Sequence, residues 1–252
     1  MIQAVGVVVP AHDEQGLLPS CLAGLRRAER ALRTSRALRT SRVLRASAGA
    51  PRALLVHLVV VADACRDRTA EVARRGGATV VSIGARNVGM ARAAGVREVL
   101  RLTGDLDPAD VWIATTDADS LVPPGWLVQQ VQCAIGGWDA VVGTIRVTDW
   151  SGYPPGVRAR FLEQYGLERH GTGGEHPHVH GANLGFRAAA YLRAGGFPEL
   201  PTGEDHALVA SLAASGGKVL RTDAVTVVTS ARLQARAPDG FSDYLAGLAA
   251  PG

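Results

Sequence analysis

Between Val111 and Trp126 the chain reads VWIATTDADSLVPPGW, and this stretch limits the fold more than any other. The apolar run Val111 to Ala114 predicts a short buried strand. It leads through Thr115 and Thr116 into Asp117-Ala118-Asp119. Two carboxylates one residue apart at the C-terminal end of a buried strand lie where open α/β sheets bind ligands. Like charges that lose water need a cation or hydrogen-bond donors to offset them. Carboxylate oxygens suit Mg²⁺ or Mn²⁺, and such an ion can bridge phosphates. The expectation is a divalent metal and a nucleoside diphosphate held at Asp117 and Asp119. Pro123-Pro124-Gly125-Trp126 then closes the loop and opens a helix. An acidic turn between strand and helix would give the same local pattern, so the other loops must decide.

Those loops recur in register along the N-terminal half. Ala4 to Val9 predicts a buried parallel-type strand, stopped by Pro10 and followed by the loop AHDEQG. Leu17, Leu18, Leu22 and Leu25 mark the apolar face of the next helix. Ala53 to Val61 predicts a second strand, running into Ala62-Asp63-Ala64-Cys65, with a helix from Thr69 to Arg75 closed by Gly76-Gly77. Ala78 to Ile83 predicts a third strand, and GARNVGMAR leads into a helix through Leu100. Arg86 and Asn87 stand at the start of that helix, where free N–H groups and the dipole favour anions. Strand–helix alternation of this kind predicts a right-handed, mostly parallel sheet flanked by helices. The first loop carries neither the dinucleotide glycine pattern nor a Walker loop.

Composition narrows the classes. Of 27 basic residues, 26 are arginine, and the formal net charge is +4; arginine suits bidentate contacts to phosphate. Only 5% of residues are aromatic, which argues against a stacking platform for nucleic acid. Three cysteines, Cys21, Cys65 and Cys133, show no metal-type spacing and predict a reducing compartment. The start MIQAVGVVVP reads as a strand and not a secretory leader. The expectation is a soluble cytoplasmic protein of one domain over 1–252, compatible with peripheral contact at an acidic membrane. An insert at 31–47 repeats ALRTSR, with an arginine every third residue from Arg30 to Arg45. It reads as a solvated extension of the first helix.

With these pieces placed, the chain resembles the family-2 glycosyltransferases of GT-A fold. The resemblance rests on VVVPAHDE (7–14), VVVADACRDRT (59–69), ARNVGMARAAG (85–95), TTDADSLVPPGWL (115–127), GANLGFRAAAYLRAGGF (181–197) and GEDHALVASL (203–212), in that order. Ala62-Asp63-Ala64-Cys65 departs from the commoner Asp-Asp-Gly-Ser form and keeps the second acid. The resemblance implies a nucleotide-sugar-binding half over 1–126 and an acceptor-binding half of mixed sheet over 127–252. It implies Pro10, His12, Glu14 and Asp63 as nucleoside contacts, and Asn87 and Arg92 near the donor. Asp117 would meet ribose or metal, and Asp119 would hold Mn²⁺ or Mg²⁺ under the diphosphate of a UDP- or GDP-sugar. Asp205 would be the general base that deprotonates the acceptor hydroxyl, with inversion, and Glu204 would orient it or act in its place.

The C-terminal half adds further expectations. Asp139 to Val147 predicts a strand, and Val157 to Arg169 a helix with Phe161, Leu162, Tyr165 and Leu167 on an imperfect apolar face. In HGTGGEHPHVHGAN, His176, His178 and His180 alternate and would share one face of an extended segment. A zinc site and a lining for the acceptor both fit that pattern, His180 and Asn183 being the candidates for the lining. Arg232 and Arg236 are four apart, on one face if helical, and could clamp the diphosphate. Two other classes stay in play. A sugar-phosphate nucleotidyltransferase uses the same metal logic but normally carries a glycine-rich basic loop after its first strand. A non-catalytic binder of acidic surfaces would use Arg30 to Arg45.

Overall fold

The computed structural model describes residues 1–36, 54–165, 176–200, 202–232 and 241–249. Its elements in chain order are β1 (Ala4–Ala11), α1 (Leu18–Thr34), β2 (Leu55–Asp63), α2 (Thr69–Arg75), β3 (Thr79–Ile83), α3 (Val88–Thr103), β4 (Val111–Thr115) and α4 (Trp126–Ile135). They continue with β5 (Ala140–Val147), α5 (Val157–Tyr165), β6 (Leu184–Arg187), α6 (Ala188–Arg193), α7 (Glu204–Ala214), β7 (Val219–Thr229) and α8 (Phe241–Ala249). The seven strands form one sheet in the order β3-β2-β1-β4-β6-β5-β7. β3, β2, β1 and β4 are mutually parallel, β6 runs antiparallel to β4 and β5, and β7 is parallel to β5. The expected mostly parallel α/β sheet with a mixed C-terminal part is what forms.

Period-2 alternation sorts the strand side chains into two cores. Val5, Val7, Val9, Trp112 and Ala114 pack with Leu18, Leu22, Leu25 and Trp126 on one face. Ala4, Val8, Val111 and Ile113 pack with Val96, Val99, Leu208 and Leu212 on the other. The sheet is thus sandwiched between α1 and α4 on one side and α3 and α7 on the other. A third cluster joins Ile145 and Val157 to Phe161, Tyr165, Leu245 and Leu248. Leu17, expected on the apolar face of α1, is the exposed residue before it.

Strand polarity delivers the functional loops to one edge. β1, β2, β3 and β4 all end there, with Ala11 beside Ala62, Asp63 beside Ile83, and Val8 beside Thr115. Antiparallel β6 starts there, since Leu184 pairs with Thr115. β5 and β7 end there together, Val147 opposite Thr229. Pro10 does not stop β1, which runs on to Ala11. Val8 C=O accepts from Thr116 N–H on the β4 side. Two residues on, Pro10 faces that same side, past the end of β4, so its missing N–H breaks no ladder.

Asn183 was expected to line the acceptor site; it belongs to the core. β5 and β7 shift register between Gly143 and Thr144, where three β7 residues, Asp223 to Val225, go unpaired. The Asn183 amide fills this gap, donating to Thr144 O and Val225 O at 2.8 Å each, while its oxygen accepts from Trp126 Nε1 at 2.9 Å. The residue has no exposed surface, so nothing remains for a ligand. The amide lies where a Cβ on Gly143 would stand, which is why glycine is required there.

Arg232 and Arg236 would share a face only in a helix; Thr229 ends β7, and Ser230 to Arg232 continue without helix. Arg236 lies outside the described residues, as does the repeat from residue 37 on and the span 166–169 of the helix expected to reach Arg169. Among the described residues no helix is long and apolar enough to cross a membrane.

Two stability changes follow from this geometry. Asn183→Ala orphans one buried donor and two buried carbonyls and should cost about 3 kcal/mol, or roughly 6–12 °C of melting temperature by calorimetry; a loss under about 1 °C would contradict the clamp. Ala64 holds a left-handed φ of 50°, at the place where the commoner family form has glycine. Ala64→Gly should therefore raise stability by about 1 kcal/mol, and a lower melting temperature would refute that strain.

Candidate active site

The first three loops are laced by backbone donors. Asp63 accepts from Arg86 N–H and Asn87 N–H, each at 2.8 Å. His12 Nδ1–H donates to Asp63 O at 2.7 Å. Arg66 N–H donates to Asp13 Oδ1 at 2.7 Å, and Glu14 N–H to Thr69 Oγ1 at 2.7 Å. Asn87 caps α3, its side-chain oxygen accepting from Met90 N–H at 2.9 Å. Three non-glycine residues in these loops, Asp13, Ala64 and Arg86, have φ near +50°, conformations that persist only where surrounding bonds over-determine them.

Each of the two acids of Asp117-Ala118-Asp119 meets a different arginine. Arg92 on α3 donates Nη2 to Asp117 Oδ1 at 2.7 Å and Nη1 to Glu204 Oε1. Arg232, after β7, donates Nε and Nη2 to Asp119 Oδ2 and Nη1 to Glu14 Oε1 at 2.6 Å. Each arginine therefore bridges one acid of the pair to a glutamate from a distant loop. The β4–α4 loop is strapped to the end of β7 by reciprocal backbone bonds between Leu121 and Val228, and by Ser120 Oγ to Thr229 Oγ1 at 3.1 Å. That strap brings Asp119 to Arg232.

Burial separates the two networks. The Arg92 and Glu204 side chains are 5% and 4% exposed. Burial alone would pull the Arg92 guanidinium down; Asp117, Glu204 and Asp205 outweigh it and hold it above its ordinary value. Burial pushes both Asp117 and Glu204 up, against the pull of Arg92. The guanidinium lies where a Cβ on Gly181 would stand, so the turn Gly181–Asn183 can pass over it only as glycine. Arg92, expected beside the donor, is thus sealed beneath Asp117. Glu204, the other candidate base, gives its Oε1 to Arg92. Glu14, expected at the nucleoside, pairs with Arg232 through Oε1.

Asp205 lies at the same rim. Its Oδ2 accepts from Gly181 N–H at 2.6 Å and its Oδ1 from His206 N–H at 2.8 Å. It adds to the negative potential at Asp117 and Glu204. His180 precedes Gly181, and its Nε2 lies 2.8 Å from Tyr165 Oη, which accepts from Ile145 N–H. Burial drives the His180 pKa down to about 3, so its ring is neutral. The three histidines do share one face, but as a stack: successive centroids stand 5.9 and 6.2 Å apart, and Tyr165 lies 3.9 Å from His178. His176, His178 and His180 turn Nε2 to Val142 O, Tyr165 O and Tyr165 Oη respectively. Among the described residues the three rings form no group with the spacing to hold a metal. Tyr165, which holds the histidine stack, reads in sequence only as part of a helix face.

The donor set suits a hard divalent cation. Asp117 Oδ2 accepts no bond among the described residues, and Asp119 Oδ1 accepts only a 3.4 Å contact from neighbouring Ser120. Glu14, Asp117, Asp119, Glu204 and Asp205 outnumber the two arginines, a formal excess of three negative charges. Oxygen-only donors with surplus negative charge match Mg²⁺ or Mn²⁺. A cleft of about 380 Å³, lined in part by Asp119, Thr148, Ser151, Thr229 and Arg232, opens beside this pair, within the size range of small-molecule sites.

Known proteins carry the same architecture. A fragment of TarS from S. aureus superposes with a TM-score of 0.58 at 13% identity, over 97% of this chain and 69% of that one. The mannosyltransferase PcManGT of Pyrobaculum calidifontis, in complex with GDP-Man and Mn²⁺, gives 0.59 at 21% identity, over 95% and 59%. Glucosyl-3-phosphoglycerate synthase of Mycobacterium tuberculosis, in complex with Mn²⁺ and UDP-Glc, gives 0.52 at 17% identity, over 98% and 75%. These likenesses show the fold, and this chain spans little more than half of the mannosyltransferase. No curated protein matches the sequence. The profile of glycosyl transferase family 2 matches residues 6–193. The chain belongs to that family and is a glycosyltransferase, not a nucleotidyltransferase.

Proposed function

We propose that this glycosyltransferase moves a sugar from a nucleoside-diphosphate sugar to an acceptor hydroxyl, with inversion at the sugar carbon. The observation behind this reading is the division of Asp117 and Asp119. Each has one oxygen held by a guanidinium and the other turned to the rim, beside an unsealed aspartate, Asp205. GDP-Man and UDP-Glc in the structural neighbours, each with Mn²⁺, favour a nucleotide-sugar donor.

In this reading the loops ending β1 and β2, with Pro10, His12 and Asp63, form the floor for the nucleoside, and Asn87 closes its edge. Asp119 and Asp117 would hold Mn²⁺ or Mg²⁺, which when bound would offset the charge of the diphosphate leaving group, the main electrostatic demand of glycosyl transfer. Arg232 faces the same oxygens and supplies a second positive charge. Asp205, fixed by Gly181 N–H, takes the proton of the acceptor hydroxyl as it attacks the sugar carbon from the face opposite the diphosphate. Neutral His180 lines the acceptor side. Arg92 and Glu204 touch no substrate; they hold Asp117 and the start of α7 in place.

The test is transfer, or donor hydrolysis, with UDP- and GDP-sugars in Mn²⁺ or Mg²⁺. Asp119→Ala and Asp205→Asn should each lower kcat by about 10²–10⁴-fold in a folded protein; full activity in either would refute its role. Glu204→Gln keeps an oxygen for Arg92, so it should stay within roughly tenfold of wild type. A loss as deep as that of Asp205→Asn would instead make Glu204 the base.

A further inference from the structure

The two arginines differ in a way that charge pairing alone does not require. Arg92 is sealed, packed on Gly181, and shared between Asp117 and Glu204. Arg232 is 19% exposed at the side chain and stands just past the end of β7. Two of its nitrogens converge on a single oxygen, Asp119 Oδ2, and its third reaches Glu14 Oε1. The guanidinium therefore sits on the cation-binding side of the acid best placed to hold a metal.

A divalent ion on Asp119 would stand within a few ångströms of this guanidinium, and like charges that close repel unless anions are added. A nucleoside diphosphate adds them. It also offers a guanidinium planar, bidentate oxygen partners, which suit arginine better than the single oxygen it now shares. We propose that Arg232 is the resident counter-cation of Asp119 in the nucleotide-free protein, and that it exchanges Asp119 and Glu14 for the diphosphate when metal and nucleotide arrive together. The proposal rests on the donor reading above and goes beyond it. Arg232 opposes metal alone and supports the metal–nucleotide pair, so the two ligands bind with positive coupling.

The experiment is a Mn²⁺ titration of the full chain followed by electron paramagnetic resonance, alone and with UDP or GDP. It compares wild type with Arg232→Ala and with Arg232→Met, which keeps the stem's packing if the truncated side chain does not fold. Either neutral variant should bind Mn²⁺ alone roughly tenfold more tightly than wild type, and the Mn²⁺–nucleotide pair roughly tenfold more weakly. Arg232→Lys retains the charge and should bind Mn²⁺ alone as weakly as wild type. Unchanged or weaker binding of Mn²⁺ alone in the neutral variants, with wild type still taking up Mn²⁺ and nucleotide together, overturns the exchange and leaves the donor reading standing. A lysine variant as tight as the neutral ones also overturns it. If wild type takes up no Mn²⁺ with either nucleotide, the exchange and the metal assignment fall together.

Discussion

One buried guanidinium organises the rim. Arg92 is charged, almost without exposure, and surrounded by the acids of two other elements and the backbone of a third. A buried charge is tolerated only when its donors are paired, and removing one partner of such a set typically costs about 3–5 kcal/mol. That cost pins α3, the loop after β4, the start of α7 and the turn at Gly181 to one another. The position of Asp205 follows, because Gly181 N–H holds its carboxylate. The candidate base is thus placed by a residue that is not itself part of the chemistry.

The two acids of the central loop then have separate duties. Asp117 anchors inward through Arg92 and keeps one oxygen at the surface. Asp119 is strapped to β7 and meets Arg232. Both networks repeat one motif, carboxylate–guanidinium–carboxylate, yet one is sealed and the other open. Sealed, it fixes geometry; open, its positive charge is free to change partners. The surplus of negative charge at the rim is the electrostatic reason for reading this as a site for a divalent cation and a phosphorylated ligand.

Much of this frame was legible in the chain. The buried run from Val111, the acids after it, and the strand-to-loop transition at Asp63 are local signals, and parallel topology places the strand ends together. The start of α3 near Asn87 was read from GARNVGMAR, but that Asn87 caps it is seen only in the structure. The partners of the acids were not legible. Arg92 meets Glu204 across 112 positions, and Arg232 meets Glu14 across 218. No periodicity reports such pairings, and an arginine-rich chain offers many equivalent candidates. Asn183 looked like a ligand contact because polar residues in loops usually face solvent. Its burial became visible only with the unpaired residues of β7, which leave carbonyls for its amide to satisfy. The histidines announced one shared face but not its content, since stacking on Tyr165 depends on a helix packed from elsewhere.

Surplus negative charge at one rim makes a definite demand on a diphosphate: it binds there only together with a cation that offsets that charge. Calorimetric titration of the protein with UDP and GDP, in Mg²⁺ or in excess chelator, tests that demand directly. The account predicts binding of at least one of the two nucleotides with metal and at least tenfold weaker binding in chelator. Equal affinity in both conditions would contradict it.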